Sequence, residues 1–176
     1  VKYFYDKRKK LIYTVYENDT TFLYLNKYDD KGKLIERVNL HKNKKGEVVE
    51  SRFKTIYKYD KNKNLTKTIE FDGNIIKRQI LSKYDKKNRL IENITKKGFK
   101  KRSPSRVPWE KTTKINYLPN GQIEEKFTFF RQDCIGLIDH YLFKYHYKKN
   151  GLLDHADAFK DDKLIFTLFF TYNYYE

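Results

Sequence analysis

Tyr28-Asp29-Asp30-Lys31-Gly32-Lys33-Leu34 reads as the end of one strand, a turn and the start of the next. The Asp side chain can accept hydrogen bonds from backbone just ahead of it and so start a turn. The glycine tolerates the positive φ at which the chain reverses. The same spacing, an aromatic residue and then an aliphatic one six positions later, returns along the chain. It pairs Tyr5 with Leu11, Tyr59 with Leu65, Tyr84 with Leu90, Tyr117 with Ile123 and Tyr147 with Leu153, and a weaker copy pairs Lys42 with Val48. Asp6, Asp60, Asp85 and Asn43 repeat the acidic or amide position, and Gly46, Asn88, Gly121 and Gly151 repeat the position of Gly32. Two tighter turns, Asp72-Gly73-Asn74 and Lys160-Asp161-Asp162, join these units.

Between the turns the residues alternate. Phe53, Tyr57 and Tyr59 share one side of their segment, with Arg52, Lys54 and Lys58 on the other. Tyr141, Phe143, Tyr145 and Tyr147 likewise oppose His140, Lys144 and His146. A period of two over such lengths means strands with one face turned inward. The expected fold is therefore all-β, an antiparallel meander of repeated β-hairpins with about 12 to 14 strands. It forms one twisted, curled sheet whose Tyr/Phe/Leu face is the core.

The Tyr-Asp-x-x-Gly/Asn-x-Leu pattern resembles the YD repeat, also called the RHS-type repeat. Residues 28–34 carry it best, followed by Tyr59-Asp60-Lys61-Asn62-Lys63-Asn64-Leu65 and Tyr84-Asp85-Lys86-Lys87-Asn88-Arg89-Leu90. Leu118 and Lys148 stand where the pattern has Asp, and the spacing between copies is irregular. The resemblance implies a bacterial protein, secreted or held at the cell surface. Large members wrap strands into a shell around a toxin cargo, a task for which this chain is short. Others act as adhesive or scaffolding modules, and the pattern supplies no catalytic residues.

The chain has 176 residues, 39 Lys and Arg against 23 Asp and Glu, and a net charge of +16. With 16 Tyr and 13 Phe it is no disordered basic tail. Seven glycines, dispersed among turns, exclude a glycine-rich phosphate loop, and one cysteine excludes a disulfide or cysteine zinc site. No apolar run is long enough for a transmembrane helix, and the strands carry too much Lys for a lipid-facing barrel. The charge is uneven: residues 51–112 carry +13, whereas 113–176 carry −1. The densest part interrupts the repeat. Pro104 and Pro108 do not fit a central strand, so residues 97–111 are expected to form an exposed basic insertion loop within a single domain spanning 1–176. Lys96, Lys97, Lys100, Lys101, Arg102, Arg106 and Trp109 are the candidate residues for binding a partner or a polyanion, with cations for phosphates or sulfates and Trp109 for stacking.

No enzyme is expected. Cys134, Asp139 and His140 lie close together but lack an orienting partner at a fixed spacing. No metal site or cofactor is expected either. His140 and His146 share a polar face but lie about 20 Å apart on an extended strand, while His155 and Asp157 could share a face after the Gly151 turn. Leu164 to Tyr175 is apolar on both faces, as befits a central strand or an edge that another chain covers. The expected function is non-catalytic: an interaction or scaffolding module of a bacterial cell-envelope or secreted assembly. It presents a basic face and loop to a protein partner and can self-associate through the C-terminal strand. The alternative is a polyanion-binding protein that takes nucleic acid or acidic glycan.

Overall fold

A computed structural model describes residues 2–5, 7, 11–15, 23–98, 108–132 and 136–172. Thirteen strands lie among them, and no helix. The first seven are β1 (Lys2–Tyr5), β2 (Leu11–Val15), β3 (Leu23–Tyr28), β4 (Leu34–Lys42), β5 (Val48–Tyr59), β6 (Leu65–Asp72) and β7 (Ile75–Tyr84). Then come β8 (Leu90–Lys97), β9 (Trp109–Tyr117), β10 (Ile123–Gln132), β11 (Leu137–Tyr147), β12 (Leu153–Lys160) and β13 (Lys163–Phe169). β1 and β2 form a hairpin, and β3 to β13 form an eleven-stranded sheet in strict chain order. β3 and β13 are the two ends of that order, so the meander is open and not a barrel.

The repeat builds the turns. In six of them the N–H of the second residue donates to the carbonyl of the sixth, and the N–H of the fifth donates back to the carbonyl of the second, at 2.8–3.1 Å. The fifth residue has φ between +61° and +95° every time: Gly32, Gly46, Lys63, Asn88, Gly121 and Gly151. Lys63 bears the left-handed conformation without a glycine's freedom. The Asp or Asn side chain then takes further backbone donors. Asp85 Oδ1 accepts the N–H groups of Lys87 at 2.8 Å and Arg89 at 2.9 Å. The two copies without this residue solve the problem two places later. Asn120 accepts the Gln122 N–H at 3.1 Å, and Asn150 accepts the Leu152 N–H at 3.2 Å. The repeat thus tolerates Leu118 and Lys148 because the acceptor has moved within the same turn.

Two further regularities recur at most of these turns, though not at the Gly46 turn, where Lys42 pairs with Val48 and His41 with Val49 without a shift. The tyrosine pairs with the aliphatic residue (Tyr28 with Leu34, Tyr59 with Leu65, Tyr117 with Ile123, Tyr147 with Leu153), and the register shifts directly afterwards. Ile35, Thr66, Glu124 and Asp154 are the bulged residues, and the residue before the tyrosine faces the second residue after the aliphatic one. The tyrosine hydroxyl also reaches back to an earlier hairpin. Tyr59 donates to the Leu34 carbonyl, Tyr117 to Leu90 and Tyr147 to Ile123, each at 2.9 Å, and Tyr172 donates to Leu153 at 3.0 Å. Such a bond contributes about 1 kcal/mol net.

The expected aromatic core takes a thinner form. Among the described residues the buried apolar side chains are Val38, Ile69, Ala156 and Ala158, and no large side chain is fully buried. The aromatic face is half-buried, because side chains on a sheet are covered by neighbours in adjacent strands. On β12 the small residues sit between large ones: Ala156 lies between Tyr145 and Leu168, and Ala158 between Phe143 and Phe166. By its contacts the chain forms two compact units, residues 1–80 with 97–101 and residues 81–96 with 102–176.

Candidate functional site

Within the basic segment, the structure changes the bounds of the expected loop at 97–111. β8 runs through Lys97 and β9 begins at Trp109, so Lys97, Trp109, Glu110 and Lys111 belong to strands. Glu110 and Lys111 pair with Arg131 and Phe130 of β10, which holds that end in the sheet despite Pro108. Lys100, Lys101, Arg102 and Arg106 lie outside the described residues. Lys96 Nζ is 2.8 Å from Glu110 and so is neutralised locally. Trp109 packs on Phe130 with ring centroids 5.7 Å apart, so one of its faces is taken.

Lys97 is exposed and lines a shallow depression of about 350 Å³ with Lys54, Lys77, Phe53 and Phe71. The sequence did not connect these three lysines, because their association depends on strand order. Lys54 Nζ lies 5.3 Å over the Phe71 ring, where the ring face attracts a cation. Lys77 Nζ and Arg52 Nε bracket the buried Asp72 carboxylate at 2.8 and 2.6 Å. Lys77 and Arg52 are thus tied to Asp72. Lys54 and Lys97 stand in the depression beside Phe53, Phe71 and the Glu70 carboxylate.

A second surface lies on β13. β13 ends the strand order and exposes Leu164, Ile165, Phe166, Leu168 and Phe169, the last at 74%. Both of its faces are largely apolar, and among the described residues it is the edge of the sheet. Exposed apolar edges of this kind invite pairing with another chain.

Asp139 and His140, which lie near Cys134 in the sequence, have other partners in the structure. Cys134 lies outside the described residues, Asp139 is held by Lys160 at 2.8 Å, and His140 faces Asp161 at 3.9 Å. His140 is instead packed against Phe129, with ring centroids 5.1 Å apart. His146 finds other partners. It lies opposite His155 in register, and the two rings stack at 4.2 Å with an interplanar angle of 12°. Its Nε2 is 3.1 Å from Asp157 Oδ2, while Asp157 Oδ1 accepts the Thr167 hydroxyl at 2.6 Å. His155 Nδ1 is 2.9 Å from Asp154 Oδ2. Asp157 is held below the ordinary carboxylate range, first by the Thr167 hydrogen bond and also by His146. Asp154 is lowered chiefly by its bond to His155. The spacing held a signal for this cluster: the residue before each repeat tyrosine faces the second residue after the aliphatic one, which makes His146 and His155 a pair.

No protein-family model and no curated protein matches the chain. Its fold, an open antiparallel meander of hairpins, is similar to part of a chain in a structure of the Photorhabdus luminescens Tc holotoxin pore. The TM-score is 0.54 and the identity 14%, over 94% of this chain and 9% of that one. This chain therefore spans less than a tenth of that chain's length. No helix among the described residues is long and apolar enough to cross a membrane.

Proposed function

We propose that this chain is a non-catalytic scaffolding module of a bacterial cell-envelope or secreted assembly. It joins its partner by adding a strand at the β13 edge. The exposed apolar edge is the observation that carries this reading. The YD-type repeat and the likeness to a Tc holotoxin chain support an extracellular assembly as its setting. The occupant we favour is a second copy of the chain, β13 against β13 across a two-fold axis. Residues 113–176 carry a net charge of −1, so two such edges meet without the repulsion that the basic segment would impose. In sedimentation velocity, the wild type is expected to dimerise with rising concentration. The double variant Phe166→Lys, Leu168→Lys is expected to stay monomeric with unchanged circular dichroism. A wild type that stays monomeric, or a variant that still dimerises, overturns edge pairing between copies.

The Lys54, Lys77 and Lys97 depression favours a second reading, in which the basic face binds a polyanion. On heparin and DNA columns that reading expects the wild type to elute above about 0.5 M salt. Reversing Lys54 and Lys97, or Lys100, Lys101, Arg102 and Arg106, should then shift elution far below it. Early elution of all three proteins assigns the charge to solvation.

A further inference from the structure

One position distinguishes the Gly151 hairpin from the others. The pair behind the tyrosine is Lys27 with Glu36, an ion pair at 2.6 Å; Lys58 with Lys67; Asn116 with Glu125, hydrogen-bonded at 3.3 Å; and here His146 with His155. In those three hairpins the pair is made of charged or amide residues; here it is two imidazoles.

We propose that His146, His155 and Asp157 form a binding site for a divalent late first-row transition ion, with zinc as the physiological candidate. One ligand atom from each residue lies within 4.8 Å of the other two. A tetrahedral zinc with bonds of about 2.0–2.1 Å holds its ligand atoms roughly 3.3 Å apart. His146 Nε2 and Asp157 Oδ2, at 3.1 Å, already have that separation. Two imidazole nitrogens and one carboxylate oxygen suit zinc, cobalt, nickel and copper, and disfavour magnesium and calcium.

The surrounding shell is the kind that orients ligands. A carboxylate only accepts, so His155 Nδ1–H must donate to Asp154, which leaves Nε2 with the lone pair. That carboxylate–imidazole contact fixes the ring and raises its basicity toward a metal. Asp154 stands there because it is the bulged residue, beside His155. The Thr167 hydroxyl fixes Asp157 by the oxygen that His146 does not use. Phe169 packs against the His155 ring at 5.6 Å. Lys144 lies opposite Asp157 in register, with its Nζ over Phe159 at 5.5 Å, and Lys148 Nζ lies 3.6 Å from Asp154. The side chain of His146 is 44% exposed and that of Asp157 22%, so an ion can enter and keep a water in the fourth position. On binding, the ion replaces the proton shared between His146 Nε2 and Asp157 Oδ2. The parallel rings must splay for both Nε2 lone pairs to converge.

Isothermal titration calorimetry of the tag-free protein with zinc chloride tests this, with magnesium chloride as comparison. One zinc per chain and no magnesium heat are expected, and cobalt should develop the visible bands of a tetrahedral ion. His146→Ala and His155→Ala should each lose more than tenfold in zinc affinity, Asp154→Asn about tenfold, and His41→Ala none. Absence of zinc binding by the wild type, or wild-type affinity in either histidine variant, overturns the site. Should either histidine variant fail to fold, Asp154→Asn decides, since unchanged affinity there also overturns it.

Discussion

Ile69→Ala lowers the unfolding free energy by about 2–4 kcal/mol, read as a fall in the urea midpoint. Ile69 faces Ile56 across β5 and β6 and is one of the buried apolar side chains among the described residues. Few such side chains are available, so each carries a large share of the burial that opposes chain entropy. Val48→Ala is the comparison. Val48 is 53% exposed, and its truncation should cost about 0.5 kcal/mol or less. Equal losses at the two positions would show that burial within this sheet does not set its stability.

Acid is expected to unfold the protein sharply. Asp60, Asp85, Asp154 and Asp157 are all held below the ordinary aspartate value of 3.8 in the folded chain. At Asp85 the backbone N–H of Arg89 is the main cause, aided by the Arg89 side chain and the Lys87 N–H. At Asp60 partial desolvation is the largest influence and works the other way, but hydrogen bonds from Asn64 and Asn62 together outweigh it. A carboxyl lowered in the folded state adds stability that is complete above its unfolded value. That stability is lost as pH falls through the folded value. The urea midpoint should therefore hold well above pH 3.8 and drop as the pH falls below that value, helped by the growing positive charge. Asp85→Asn keeps the Oδ1 acceptor but cannot titrate, so its midpoint should fall less over the same range. An identical pH profile for that variant would remove the turn carboxylates from the explanation.

Much of the fold was legible in the sequence because turn chemistry is local. An Asp or Asn, a residue that tolerates positive φ and an aliphatic residue six places after the tyrosine fix each hairpin within seven residues. Leu118 and Lys148 looked like departures only because the replacement acceptors, Asn120 and Asn150, stand two residues further on. The sites were less legible. Lys54, Lys77 and Lys97 meet through strand order. His146 meets His155 through a one-residue bulge that alternation alone does not reveal. The Tyr/Phe face was overread as a sealed core, since period two shows which side chains share a face but not what covers them.

The tyrosine hydroxyl bonds have a mechanical consequence. Each ties a hairpin to an earlier one, so a pull on the two chain ends meets the ties one after another. Strands in chain order peel from an edge like a zipper instead of shearing together. The tying tyrosines Tyr59, Tyr117, Tyr147 and Tyr172 are 58, 30 and 25 residues apart. Each release would pay out roughly 85–200 Å of extended chain. Under load the meander behaves as an extensible tether that lengthens in steps.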